Sequence, residues 1–178
     1  MSQILTAAAF SDYRATREPQ QMHADAQRYD GDTDQMIPTD GLEVWEDGDS
    51  AGDVAPPAVP DIDGKPSDLH LWVVTQDDVR HAKEQCAFGS ARQAKCVKHS
   101  NLTGGTAAYA GGEFAYLDPQ TLLLNGCSGR YRITTLGEMS AIERAFRRSG
   151  YKVWSMGWNE DTDRPAMFGT QDPTWVKL

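Results

Sequence analysis

The chain contains, at residues 111–126, the stretch GGEFAYLDPQTLLLNG. Side chains in its first half alternate, with Glu113 on one side and Phe114 on the other, which is the two-residue period of a β-strand. The turn Asp118-Pro119-Gln120 separates this half from TLLLNG, a second short apolar run. The stretch therefore predicts two strands joined as an antiparallel hairpin.

Three further elements are predicted before the hairpin. Residues 69–74, LHLWVV, are apolar and β-rich and predict a buried strand. Thr75 followed by Asp78 resembles a capping box, so a helix is predicted from there to Gly89. Residues 94–99, AKCVKH, predict another strand that ends at a glycine-rich turn.

The segment after the hairpin has the best-marked helix of the chain. Thr135 and Glu138 form a capping box, an apolar stripe follows at helical spacing, and Gly150 is placed to end the helix. The alternating residues 151–158 then predict a strand. Together these elements predict an α+β domain with two helices and a small, mainly antiparallel sheet of about five strands.

The first third of the chain differs from the rest in charge. Residues 1–68 contain four basic and fifteen acidic residues, a net charge of −11, whereas residues 69–178 carry a net +2. The first segment is rich in Asp, Gly and Pro, and residues 54–64, VAPPAVPDIDG, are typical of a linker. We therefore predict a disordered acidic arm over residues 1–68, with Trp45 in a short segment that docks on the folded part or on a partner, and a single domain over residues 69–178.

Cysteine usage and hydropathy limit the class of protein. The three cysteines are an odd number without a CxxC spacing, so neither a disulfide framework nor a zinc site is predicted, and no metal or other cofactor is expected. The chain has no signal-peptide pattern and no apolar run long enough for a membrane span. Synthesis in the cytoplasm is expected, with secretion by a route that needs no signal peptide as an open alternative.

The turn after the predicted strand 94–99 carries the first group of candidate site residues. His99 has an ordinary pKa near neutrality, which suits a general acid or base. Lys98 is a candidate for phosphate binding, and Ser100, Asn101 and Thr103 are candidates for contacts that position a substrate.

The hairpin and the turn that follows it carry the second group. Glu113 is predicted to be the partner of His99 in acid–base chemistry. Arg130 is predicted to hold a phosphate by two parallel hydrogen bonds, with Asn125, Ser128 and Tyr131 as further binding residues. If the two loops beside the hairpin converge, His99, Glu113 and Arg130 form one catalytic group. A nucleophilic Cys127 paired with His99 is a weaker alternative.

These residues favour a metal-independent enzyme that acts on a phosphate-bearing substrate. RNA is the leading substrate, with an effector or toxin-like role for the protein. One alternative is a transferase or glycohydrolase that uses NAD or another nucleotide. The other is a non-catalytic binding module, such as an inhibitor or adaptor, in which the acidic arm contacts a protein partner.

Overall fold

The structure, a computed structural model, describes residues 8–48, 60–62, 64–169 and 176–177. The helices are α1 (Ser11–Ala15), α2 (Ala87–Ser90), α3 (His99–Thr103) and α4 (Leu136–Arg148), with 3-10 turns at Ala8–Phe10 and Pro38–Asp40. The strands are β1 (Glu43–Val44), β2 (His70–Val74), β3 (Val79–Lys83), β4 (Ala110–Asp118), β5 (Thr121–Asn125), β6 (Lys152–Ser155), β7 (Trp158–Asn159), β8 (Arg164–Pro165) and β9 (Val176–Lys177).

One mixed sheet contains seven of these strands in the order β1-β3-β2-β4-β5-β6-β9. Neighbouring strands are antiparallel except β5 and β6, which are parallel. Helix α4 lies between β5 and β6 in the chain and supplies the crossover that a parallel pair requires. The α+β class is confirmed, but the sheet is larger than the five strands predicted and contains one parallel pair.

The central hairpin and the long helix have the structure that their sequences predict. Strands β4 and β5 pair antiparallel, with Glu113 opposite Asn125. The Thr135 hydroxyl accepts a hydrogen bond from the Glu138 amide at 3.1 Å, which caps α4. Gly150 follows that helix with φ +97°, a left-handed conformation that glycine adopts without strain.

The helix predicted from Thr75 to Gly89 is wrong, because residues 75–78 form the turn into strand β3 and the helical residues of this segment begin only at Ala87, in α2. The Thr75 hydroxyl accepts from the Asp78 amide at 3.1 Å and donates to the Asp78 carboxylate at 2.6 Å, within the turn that joins the two strands. A threonine and an aspartate three residues apart form the same local contacts in a turn and at a helix start. The pairing of β3 with β1 and β2 decides in favour of the turn.

The strand predicted over residues 94–99 is also wrong. Residues 94–98 form no strand, and His99 is the first residue of helix α3. The Asn101 carboxamide oxygen accepts a hydrogen bond from the Lys98 amide at 2.8 Å and caps this helix.

The two faces of the sheet are covered differently. Phe114 and Leu124 lie on the face that packs against α4, where they join Ile142 and Phe146 in one apolar core. Side chains alternate along a strand, so Glu113 belongs to the opposite face. A second core, which includes Leu71 and Leu102 of α3, covers part of that opposite face.

The described part of the predicted arm is folded, so disorder over residues 1–68 is not confirmed. Phe10, Met36 and Trp45 are each at most 1% exposed. Phe10 and Trp45 share the core beneath α4, and β1 extends the sheet beside β3. Single apolar residues among many acidic ones anchor this segment. The predicted linker lies mostly outside the described residues.

No helix within the described ranges is both long enough and apolar enough to cross a membrane.

Candidate functional site

A cavity of about 600 Å³ opens on the face of the sheet opposite α4. Five of the predicted site residues line it: His99, Glu113, Arg130, Lys98 and Ser128. The cavity is also lined by residues that the sequence did not indicate, among them Glu84, Arg132, Asp163 and Arg164. The two loops beside the hairpin thus reach one cavity.

His99 is held in a single protonation state at the start of α3. Its side chain is 7% exposed, and Nε2 lies 2.8 Å from the carbonyl oxygen of Gly112. A carbonyl oxygen only accepts, so Nε2 carries the proton and donates. Burial lowers the pKa of His99 to about 4, the largest of several effects, so the ring is neutral at pH 7. Since no described residue hydrogen-bonds Nδ1, this nitrogen remains an acceptor for a ligand.

The position of His99 depends on a glycine in β4. A Cβ atom on Gly111 would lie 2.9 Å from Cδ2 of His99 and 3.1 Å from Oγ of Ser128. Both side chains therefore lie directly over this residue. Glu113 is two residues further along and projects from the same face, about 7 Å away along the strand. A small ligand can therefore contact His99, Ser128 and Glu113 together.

Glu113 is oriented by Asn125 on the neighbouring strand. The Asn125 side-chain nitrogen donates to the Glu113 carboxylate at 2.8 Å, while its oxygen accepts from the amides of Glu113 and Cys127, both at 3.0 Å. Burial raises the pKa of the Glu113 carboxyl, and the hydrogen bond from Asn125 opposes this effect. Asn125 is fully buried. It acts on Glu113 and does not line the cavity.

Two neighbours of Glu113 complete this end of the cavity. Glu84 lines it and pairs with Lys65, whose Nζ lies 2.9 Å from the Glu84 carboxylate. Burial and the charge of Glu113 raise the pKa of Cys127 to about 12. The Cys127 thiol also donates a hydrogen bond to the carbonyl oxygen of Ala166, 3.3 Å away. A thiol that stays protonated at neutral pH does not suit the nucleophile considered from the sequence.

Arg130 is engaged in contacts within the protein. Its Nη2 donates to the carboxylate of Asp32 and to the carbonyl oxygen of Gln27 at 2.8 Å, and its Nε donates to Ser100 Oγ at 2.9 Å. Arg130 and Asp32 are 8% and 6% exposed. Two of the three guanidinium nitrogens are therefore occupied, which weakens the prediction that Arg130 is the main phosphate clamp.

The remaining predicted residues hold the loops that form the cavity wall. The Asn101 side chain donates to the carbonyl oxygens of Gly31 at 2.9 Å and Asp34 at 3.0 Å, which fastens α3 to the N-terminal segment. The hydroxyls of Thr103 and Tyr131 lie 2.7 Å apart. None of the following predicted residues lines the cavity: Ser100, Asn101, Thr103, Asn125 and Tyr131.

The exposed rim carries two arginines that sequence reasoning missed, Arg132 and Arg164. Arg132 is two residues after Arg130, so its place beside the cavity follows from the same loop. Arg164 belongs to β8, which pairs with β7 in a two-stranded ribbon. This ribbon places Arg164 at the cavity. No local pattern in the sequence indicates this approach.

Known proteins do not identify this site. The chain matches no protein-family profile, no curated protein and no solved structure. A functional conclusion therefore depends on the chemistry of the cavity.

Proposed function

We propose that this protein is an enzyme that cleaves a phosphate-bearing substrate, with RNA as the leading candidate, and that it uses no metal ion. The observation that carries the proposal is that His99 of α3 and Glu113 of β4 lie over the same face of β4 and line one cavity. Environment moves their pKa values in opposite directions, so that the imidazole is neutral and the carboxyl is more readily protonated. Such pairs divide the roles of base and acid.

The proposed reaction assigns one proton transfer to each residue. His99 Nδ1 takes the proton of the ribose 2′-hydroxyl as the 2′-oxygen forms a bond to phosphorus. Glu113, in its protonated form, gives its proton to the 5′-oxygen as the bond from phosphorus to that oxygen breaks. The products are a cyclic 2′,3′-phosphate and a free 5′-hydroxyl, and general acid–base catalysis of this kind contributes about 10²- to 10⁴-fold in rate.

The rim cations supply the phosphate contacts in this proposal. Lys98, Arg132 and Arg164 lie around the cavity, and an arginine on an exposed rim can turn toward a phosphate at little cost. Arg130 contributes chiefly by holding the wall of the cavity. Ser128 Oγ accepts from the amides of Arg130 and Tyr131, at 3.2 and 3.1 Å, and its proton remains for the ligand.

Cleavage of a fluorescent RNA oligonucleotide tests the proposal. We expect His99→Asn and Glu113→Gln each to reduce the rate by about 10²-fold or more. Arg164→Ala is expected to raise KM more than it lowers kcat, because it removes a binding contact. Arg144→Ala is the matched control, since Arg144 is an exposed arginine on α4, on the other face of the sheet. Full activity of both the His99 and the Glu113 variants would rule the mechanism out.

The size of the cavity favours one alternative substrate class. A volume of about 600 Å³ is typical of sites for small molecules and cofactors. A nucleotide such as NAD, used by a transferase or glycohydrolase, would suit it as well as a segment of RNA. Incubation with NAD, nucleoside triphosphates and RNA in parallel, followed by chromatography of the products, separates these possibilities.

The binding-module alternative has less support. It relied on a free acidic arm, whereas residues 8–48 contribute Phe10 and Trp45 to the core.

A further inference from the structure

A second cavity, of about 410 Å³, lies on the α4 side of the sheet near its β1 edge. It is lined by Glu43, Val44, Trp45, Glu46, His81, Tyr116 and Tyr151. Strand alternation places Tyr116 on the same face as Phe114, opposite the face of Glu113. The second cavity is therefore separated from the first by the sheet itself.

Aromatic rings form much of the wall of this cavity. The Trp45 ring centroid lies 5.0 Å from that of Tyr151 and 5.6 Å from that of His81. The centroids of Tyr116 and Tyr151 are 6.4 Å apart. Tyr116 is 41% exposed, although large aromatic side chains are usually covered. Trp45 is 1% exposed, so the rings of Tyr116 and Tyr151 are the ones that a ligand in the cavity can reach. The face of a tyrosine ring carries partial negative charge.

Carboxylates add full negative charge to the same cavity. Glu43 and Glu46 line it, and no lysine or arginine is among its described lining residues. Nε2 of His81 lies 3.6 Å from the Glu43 carboxylate. Burial lowers the pKa of His81 to about 4, so at pH 7 this imidazole is neutral and does not offset the charge of Glu43. The described lining of the cavity thus has two carboxylates and no lysine or arginine.

We infer that this second cavity binds an organic cation that bears an alkylated ammonium group. Rings of Trp and Tyr attract cations through their faces, and a quaternary ammonium has a low free-energy cost of desolvation. The carboxylates of Glu43 and Glu46 add attraction without the close ligand geometry that a metal ion needs. Among the described residues, no group of three or more His, Cys, Asp or Glu side chains is arranged to hold a metal.

Calorimetric titration with choline and with its neutral isostere, 3,3-dimethylbutan-1-ol, tests this inference. The two molecules have the same shape and hydroxyl group, and they differ only in the charge of the central atom. We expect choline to bind about five- to thirtyfold more tightly, because the neutral alcohol makes no cation–π contact. Equal binding of both molecules, or no binding of choline, would overturn the inference.

Three variants locate the binding. Tyr116→Leu keeps an apolar side chain but removes a π face, and Glu46→Gln removes a charge at constant shape. We expect each to weaken choline binding by about three- to tenfold. Glu160→Gln is the matched control, because Glu160 is an exposed glutamate outside the cavity. If choline binds the Tyr116 and Glu46 variants as tightly as the control, its site lies elsewhere and the inference is wrong. RNA cleavage should be the same in all three variants.

Discussion

Asp32 and Arg130 are 98 residues apart in the chain and form a buried ion pair. Asp32 belongs to the acidic segment that its composition predicts to be disordered, and Arg130 to the loop predicted to clamp a phosphate. The same guanidinium also contacts Ser100 of α3. One side chain therefore joins the N-terminal segment, α3 and the loop after β5, and the wall of the first cavity depends on that junction.

We predict that Asp32→Asn lowers the free energy of unfolding by about 3–5 kcal/mol, because it leaves the buried guanidinium of Arg130 without its anion. Asp12→Asn is the control. It breaks the pair between Asp12 and Arg148, whose side chains are 84% and 61% exposed, and we expect a change of about 0–1 kcal/mol. Urea denaturation followed by circular dichroism measures both values. Similar losses in the two variants would show that the Asp32 pair contributes no more than a surface pair.

We predict that the pH dependence of stability changes in His99→Gln. The pKa of His99 is about 4 in the folded protein and near 6.5 when unfolded, so the unfolded chain binds more protons between these values. The stability that His99 contributes is therefore complete above pH 6.5 and is lost as the pH falls toward 4. Removing the imidazole should reduce the slope of unfolding free energy against pH by up to about 1.4 kcal/mol per unit in this window.

Denaturant titrations at several pH values between 4 and 7 give that slope for each protein. His81 also has a pKa lowered to about 4, so the variant should keep part of the dependence. A double variant with His81→Gln should lose more of it, and His70, whose pKa burial also lowers, should maintain a remainder. If the slope is unchanged in His99→Gln, the His99 ring is not buried and neutral as described.

Local patterns predicted the hairpin β4–β5 and helix α4 because each is stabilised by contacts between near neighbours. The Thr135 cap and the alternation around Glu113 are complete within a few residues. The Thr75 pattern failed for the opposite reason. Its contacts with Asp78 are the same in a turn as in a cap, and the strand is selected by pairing of β3 with the adjacent β2 and with the distant β1.

The cavity was predictable only in part. Strand alternation indicates that Glu113 lies opposite Phe114, whereas His99 reaches the same face from helix α3, where the sequence predicted a strand. The partner of Arg130 cannot be found in this way, since Asp32 is one of fifteen acidic residues in the first 68. Isolated apolar residues such as Phe10 and Trp45 likewise give no periodic signal, although they are buried in the core.

We predict that Gly111→Ala damages the first cavity. The new Cβ would lie 2.9 Å from His99 and 3.1 Å from Ser128, so one or both must move, at a cost of about 1–3 kcal/mol. The rate of RNA cleavage should fall because His99 is displaced. Gly137→Ala is the control, because nothing lies within 4 Å of its Cβ position in α4 and alanine favours a helix. The control should be neutral or more stable by up to about 1 kcal/mol, and equal destabilisation of the two variants would contradict the prediction.

We predict that replacing Asn125, which orients Glu113, by aspartate changes the titration of the Glu113 carboxyl. Asn125→Asp keeps an oxygen for the amides of Glu113 and Cys127 but replaces the donor to the Glu113 carboxylate by a second carboxylate. Two carboxylates in contact cannot both ionise readily, so the pair should hold one proton to higher pH. Carbon-13 NMR titration of the side-chain carboxyls should show a transition well above that of Glu113 in the parent protein.

The control is Gln120→Glu, since Gln120 is exposed in the β4–β5 turn, does not line the cavity and should leave Glu113 unaffected. Because the folded Asn125→Asp protein binds a proton that the unfolded chain releases near pH 4, its stability should fall as the pH rises through neutrality. The proposed mechanism requires a protonated Glu113. In the profile of RNA cleavage rate against pH, the alkaline limb should therefore move to higher pH together with the NMR transition. A limb that stays in place while the carboxyl transition moves would show that Glu113 is not the general acid.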